Sequence, residues 1–131
     1  MSEAVILCVD DEAVILETLQ EQIGRHFGRQ FLYEAAESAE EALEILEEFQ
    51  EEGVRIVLIV SDWLMPGMRG DEFLVRVHQQ FDSITTMMLT GQADDQAIKR
   101  AKREANLYCC LTKPWREEEL IKIITTALQA G

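Results

Sequence analysis

Short apolar runs that stop abruptly at polar residues, each followed by a stretch with helical spacing, recur along the whole chain, and this alternation restricts the fold more than any other feature. Ala4 to Val9 is a continuous apolar run ending at Asp10-Asp11, the pattern of a strand buried on both faces. Leu16, Leu19, Ile23 and Phe27 then recur at intervals of three and four, predicting an amphipathic helix that ends near Gly28. Gln30 to Ala35 predicts a weaker second strand. Ser38, with Glu41 three residues on, forms a capping box before a helix whose inner face is Ala42, Leu43, Ile45, Leu46 and Phe49, closed by Gly53. Arg55 to Val60 is the most β-branched run and ends at Ser61-Asp62. The Met65-Pro66-Gly67 loop follows, then a helix through Phe73, Leu74 and Val77. Ile84 to Leu89 predicts a fourth strand ending at Thr90-Gly91, before a polar helix from about Asp94 to Glu104 with few apolar anchors and a loose hold. Leu107 to Leu111 predicts the fifth strand, ending at Thr112-Lys113-Pro114. Leu120, Ile121, Ile123, Ile124 and Leu128 mark the last helix, with Glu117 to Glu119 in its first turn.

Strict βα alternation with short links predicts an α/β fold, a doubly wound five-stranded parallel sheet covered by helices on both faces and joined by right-handed crossovers. The flavodoxin-like order 2-1-3-4-5 belongs to this class and places ligands beyond the carboxyl ends of the strands, although alternation alone does not select the order. The length of 131 residues suits one domain covering 1–131.

The formal charge of −13 argues against direct nucleic-acid binding, with no Lys/Arg stripe expected to offset it. Cys8, Cys109 and Cys110 sit in strand-like runs rather than at zinc or disulfide spacings, as core thiols of a reduced compartment would. No apolar stretch approaches the ~20 residues of a membrane span, and no signal peptide opens the chain, so a cytoplasmic location is expected.

The polar residues at which the strands stop are Asp10 and Asp11, Asp62, Thr90 and Lys113, and the fold class brings all of them to one rim. Three carboxylates together need a compensating cation, and hard oxygen donors suit Mg²⁺. A hydroxyl and an ammonium beside that metal are donors for a phosphoryl group, and a carboxylate is a competent nucleophile in phosphoryl transfer. Asp62, alone on the central strand end, is the expected acceptor. Read singly, each has a duller role: Asp11 as a cap of the first helix, Asp62 as a turn residue, Thr90 as a strand-end hydroxyl, Lys113 as a solvated lysine. The coincidence at four strand ends favours the site.

These segments resemble the receiver domains of bacterial two-component response regulators, the CheY-like family, over essentially the whole chain. Val9-Asp10-Asp11 is similar to the family's acidic pair, Asp62 to Gly70 to its phosphoacceptor loop, Leu89-Thr90-Gly91 to its switch hydroxyl, and Leu111 to Trp115 to its lysine-proline segment. The resemblance implies that Asp11, Asp62 and the Leu64 backbone carbonyl bind Mg²⁺ directly, with Asp10 acting mainly through water. It implies that Thr90 and Lys113 bond phosphoryl oxygens and that Lys113-Pro114 is cis. It also implies a sensor histidine kinase or histidine phosphotransfer protein as donor, and a downstream output domain or partner protein reading the helix 4/strand 5/helix 5 surface. Homodimerisation on phosphorylation stays open. The position that in the family holds an aromatic switch residue is Cys110 here; Tyr108, on the same strand face by alternation, is the candidate substitute. Leu64 and Gln92 occupy the places that govern water access to the acyl phosphate. Leu64 cannot orient water and Gln92 has an amide for it, so slow to moderate self-dephosphorylation is expected.

The expected role is thus a signalling module, not an enzyme beyond its own phosphorylation and dephosphorylation. The competing expectation is a small Mg²⁺-dependent aspartyl-phosphate phosphatase. Such enzymes commonly place a second carboxylate two residues after the nucleophile, where this chain has Leu64.

Overall fold

The computed structural model describes residues 4–81, 83–91, 95–104 and 107–130. Five strands, β1 (Ala4–Val9), β2 (Leu32–Ala36), β3 (Arg55–Asp62), β4 (Thr85–Thr90) and β5 (Leu107–Thr112), alternate with α1 (Ala13–Phe27), α2 (Ala39–Glu52), α3 (Gly70–Gln80), α4 (Asp95–Glu104) and α5 (Glu117–Ala130). The sheet is parallel throughout and its order is β2-β1-β3-β4-β5, the flavodoxin-like arrangement. The second strand begins two residues later than its composition suggests, because a single 3₁₀ turn occupies Gly28–Gln30. The expected start of the fourth helix at Asp94 lies outside the described residues.

Alternation along the strands divides the core in two. Val5, Leu7, Val9, Ile59 and Met88 face α2, α3 and α4. Ile6, Cys8, Leu58, Val60 and Met87 face α1 and α5. Leu58, Ile59 and Val60 of β3 are wholly buried, each worth about 1.5–3 kcal/mol relative to an exposed side chain. The central strand is therefore a stiff platform for Asp62, its last residue. Helix α2 shows the Ser38 half of the expected capping box, the Glu41 N–H donating to Ser38 Oγ at 3.1 Å, and Gly53 closes it at a left-handed φ of 75°. Helix α4 packs on α3 and β5; among its described side chains Ala101 is buried and Ile98 is half-buried against the core.

Two expectations change. The register of β4 against β5 slips between Thr86 and Met87, pairing Thr86 with Leu107 but Met87 with Cys109. Strict alternation therefore does not run through Tyr108. Leu107 and Cys110 pack in the core on the α3/α4 side, whereas Tyr108 is exposed. The cationic residues are also less evenly spread than the net charge suggests. Lys99, Arg100, Lys102 and Arg103, four of the 12 Lys and Arg residues, lie on α4. Of the two histidines, His26 is exposed and His78 is half-buried.

Candidate functional site

The strand ends are stitched together by their own backbones. The Trp63 N–H donates to the Leu89 carbonyl at 2.9 Å, and the Lys113 N–H donates to the Thr90 carbonyl at 2.9 Å. The Asp10 N–H donates to the Ala36 carbonyl at 3.1 Å. The side chains the sequence nominates thereby arrive on one rim. Carboxylate oxygens of Asp10, Asp11 and Asp62 all lie within 4.8 Å of one another. Lys113 Nζ reaches between two of them, 2.9 Å from Asp10 Oδ2 and 3.0 Å from Asp62 Oδ1. Thr90 ends the neighbouring strand beside Asp62 and is buried. The Lys113-Pro114 peptide is cis.

Each carboxylate stands differently. Asp10 is fully buried and committed on both oxygens, since Oδ1 accepts the Glu12 N–H at 2.9 Å while Oδ2 holds Lys113. The capping duty considered for Asp11 is not performed, and Asp10 instead makes a turn contact with the Glu12 N–H just before the helix. The residue at the start of α1 is Glu12, which makes no side-chain cap, and Asp11 is left exposed. Asp62 is buried and spends only Oδ1 on Lys113 among the described residues. Burial holds the Asp62 carboxyl above its ordinary 3.8, and the neighbouring charges of Asp10 and Asp11 push the same way against the hydrogen bond from Lys113. Burial would lower the Lys113 ammonium, but its bonds to Asp10 and Asp62 outweigh that and hold it above 10.5.

Three carboxylates and one ammonium leave the rim with excess negative charge in a partly desolvated place. The donor set is all oxygen, which fits a hard divalent cation such as Mg²⁺.

The remaining nominated residues scatter. Leu64 is 62% exposed in the loop after β3. Gln92 lies outside the described residues. Cys110 is half-buried against the core, and burial raises its thiol pKa. Cys8 is entirely buried and its thiol is pushed up to about 12, the behaviour of an inert core residue. Trp63 and Trp115 are half-buried, and Trp115 Nε1 donates to Gln22 Oε1 of α1 at 2.8 Å.

Sequence reasoning missed Gly70 and Asp71. The Gly70 N–H donates to the Trp63 carbonyl at 2.6 Å. A Cβ at position 70 would strike the Asp62 carbonyl oxygen and lie 2.9 Å from Trp63 Cα. Glycine is needed there for close approach of two backbones, a long-range demand without a local signature. Asp71 is a fully buried carboxylate in a helical turn where sequence suggests only a solvated acid at a helix start.

A family model described as the response regulator receiver domain matches residues 6–125. The hydrogenase transcriptional regulatory protein HoxA of Cupriavidus necator is 30% identical over 128 residues, covering 98% of this chain and 25% of that protein. The sensor kinase CckA of Brucella abortus is 29% identical over 98% of this chain and 13% of its own length. The chain thus spans about a quarter or less of these curated relatives. Among solved structures, the signal receiver domain of an HD domain-containing protein from Pseudomonas fluorescens Pf-5 superposes with a TM-score of 0.86 at 33% identity, covering 98% of this chain and 96% of that one.

Proposed function

The chain belongs to the response regulator receiver domain family, and on that premise we propose that it accepts a phosphoryl group on Asp62 from a phosphohistidine donor in a Mg²⁺-dependent step. The observation that carries this is Lys113 Nζ lying within hydrogen-bond distance of both Asp10 and Asp62 at the edge of the three-carboxylate cluster. Asp10 has both oxygens engaged and Asp11 faces solvent, whereas Asp62, at the end of the buried central strand, keeps one oxygen without a partner among the described residues. An Asp62 oxygen attacks phosphorus, the phosphorus–nitrogen bond of the donor breaks, and the departing imidazole keeps the electron pair and takes a proton. Lys113 moves from pairing Asp62 to bonding a phosphoryl oxygen, and the Thr90 hydroxyl donates to another. Asp11, Asp62 and the Leu64 carbonyl are the proposed direct Mg²⁺ ligands, with Asp10 acting through water. When bound, the ion supplies positive charge to the transferring oxygens.

The donor proposed is a sensor histidine kinase or histidine phosphotransfer protein. The phosphorylated state is read from α4, β5 and α5 by an output domain or partner, with Thr90, Cys110 and Tyr108 as switch residues. Residues 1–131 act as one receiver unit in the cytoplasm. With Leu64 and Gln92 at the sequence positions that in the family govern water access, self-dephosphorylation is slow to moderate, and the chain does no chemistry beyond its own phosphorylation cycle. Incubation with acetyl phosphate and Mg²⁺ should add one phosphoryl group by intact mass, and Asp62→Asn should take none. Equal labelling of that variant would remove Asp62 from the role, and loss of label within seconds would contradict the slow cycle.

A further inference from the structure

Asp71, the second residue of α3, is completely buried although it carries a carboxylate. Its Oδ2 takes a hydrogen bond from Arg69 Nη2 at 3.3 Å and lies 3.8 Å from Arg100 Nη1 of α4. Its Oδ1 has no partner among the described residues. An apolar side chain of similar size would avoid the cost of a buried, half-satisfied carboxylate, so packing alone does not account for an acid here. Arg100 is shared as well, its Nε donating to Glu104 Oε2 at 2.7 Å. One guanidinium therefore spans two carboxylates on two helices and grips Asp71 the more loosely. Arg100 stays paired with Glu104 if it parts from Asp71, so opening the bridge leaves the guanidinium compensated.

The two ends of this pair belong to different parts of the site. Gly70 is pressed against the Asp62 carbonyl and bonded to Trp63, so the start of α3 moves with the strand end that carries the acceptor. Helix α4 lies in the chain between Thr90 and β5, whose end carries Lys113. Its apolar attachment among described side chains is Ala101 and half-buried Ile98. The Arg100–Asp71 pair is a polar contact added to the packing that fastens α4 to α3.

We propose that Asp71 and Arg100 form a latch between the acceptor loop and α4, and that the state of Asp62 sets how firmly the latch holds. The second half rests on the function proposed above. A phosphoryl group on Asp62 adds charge that draws the Thr90 hydroxyl and Lys113, the two groups bracketing α4 in the chain. The resulting shift falls on the longest contact in the bridge, the 3.8 Å pair.

Hydrogen exchange read by mass spectrometry on the whole chain tests this. Arg100→Gln should raise exchange across Asp95–Glu104 by roughly two- to fivefold without phosphodonor. It should leave Mg²⁺-dependent labelling of Asp62 intact and abolish the difference in α4 exchange between labelled and unlabelled protein. Arg100→Lys, which keeps the charge, should restore part of the protection. Exchange in α4 equal to wild type in both Arg100→Gln and Asp71→Asn would overturn the latch. So would a label-dependent change in α4 that survives Arg100→Gln unaltered. If wild type takes no label, the proposed function falls, and the latch is decided by the unlabelled comparison alone.

Discussion

Replacing Gly70 by alanine sets two effects of opposite sign against each other. Alanine is favoured over glycine within a helix by about 1 kcal/mol, so propensity alone predicts that Gly70→Ala stabilises the start of α3. The local packing predicts the reverse. The new Cβ would collide with the Asp62 carbonyl oxygen and stand 2.9 Å from the Asp62 carbonyl carbon and Trp63 Cα. All three are backbone atoms of a buried strand end, so no flexible side chain can swing aside. Forcing a methyl group into such a contact costs about 1–3 kcal/mol and occasionally more, and backbone that cannot yield places this case at the upper end. The expected net change is a loss of about 2 kcal/mol, which lowers a urea midpoint by about 1 M at the usual denaturant dependence. Because the displaced atoms carry Asp62, Mg²⁺ affinity and labelling should fall together with stability. Gly24→Ala is the matched control. Its Cβ would meet only a Tyr33 ring carbon, at 3.9 Å, so helix propensity should prevail with a gain of about 0.5–1 kcal/mol. A Gly70→Ala midpoint equal to or above wild type would refute the steric argument.

Removing Lys113 as Lys113→Met leaves the buried Asp10 charge without its cation, and should cost about 3–5 kcal/mol at neutral pH; a loss under about 1 kcal/mol would show that the pair is solvent-screened. The stability Lys113 confers is complete below its ordinary 10.5 and is lost as pH climbs through its raised folded value, which a pH series of thermal melts reads directly. Asp62 works in the opposite sense: its folded pKa lies above 3.8, so stability falls as pH rises through that window, and Asp62→Asn should melt higher than wild type at pH 7 without metal, by a margin that shrinks towards pH 4. A variant less stable than wild type at pH 7 would contradict the charge balance drawn for the rim. Finally, Mg²⁺ should raise the melting temperature of wild type, with each tenfold excess over its Kd adding about 1.4 kcal/mol, and Asp11→Asn should blunt that gain; a metal-independent melt would remove the ion from the site.

The order of elements, the two-sided burial of the inner strands β1, β3 and β4 and the identity of the strand-end groups were legible in the sequence because they follow from local periodicity and from where apolar runs stop. Asp10, Asp11, Asp62, Thr90 and Lys113 could be nominated as soon as the alternation implied a shared rim. Tertiary structure decided what depends on pairs distant in the chain. It set Lys113 Nζ between Asp10 and Asp62, left Asp11 exposed while Asp10 took the Glu12 N–H, and broke the alternation of β5 through a register slip against β4. It also pressed Gly70 onto Asp62 and buried Asp71 opposite Arg100. Periodicity reports which face of an element is apolar. Which atoms of two such faces meet is set by register, twist and the close approach of backbones, and none of these leaves a mark within a single stretch of residues.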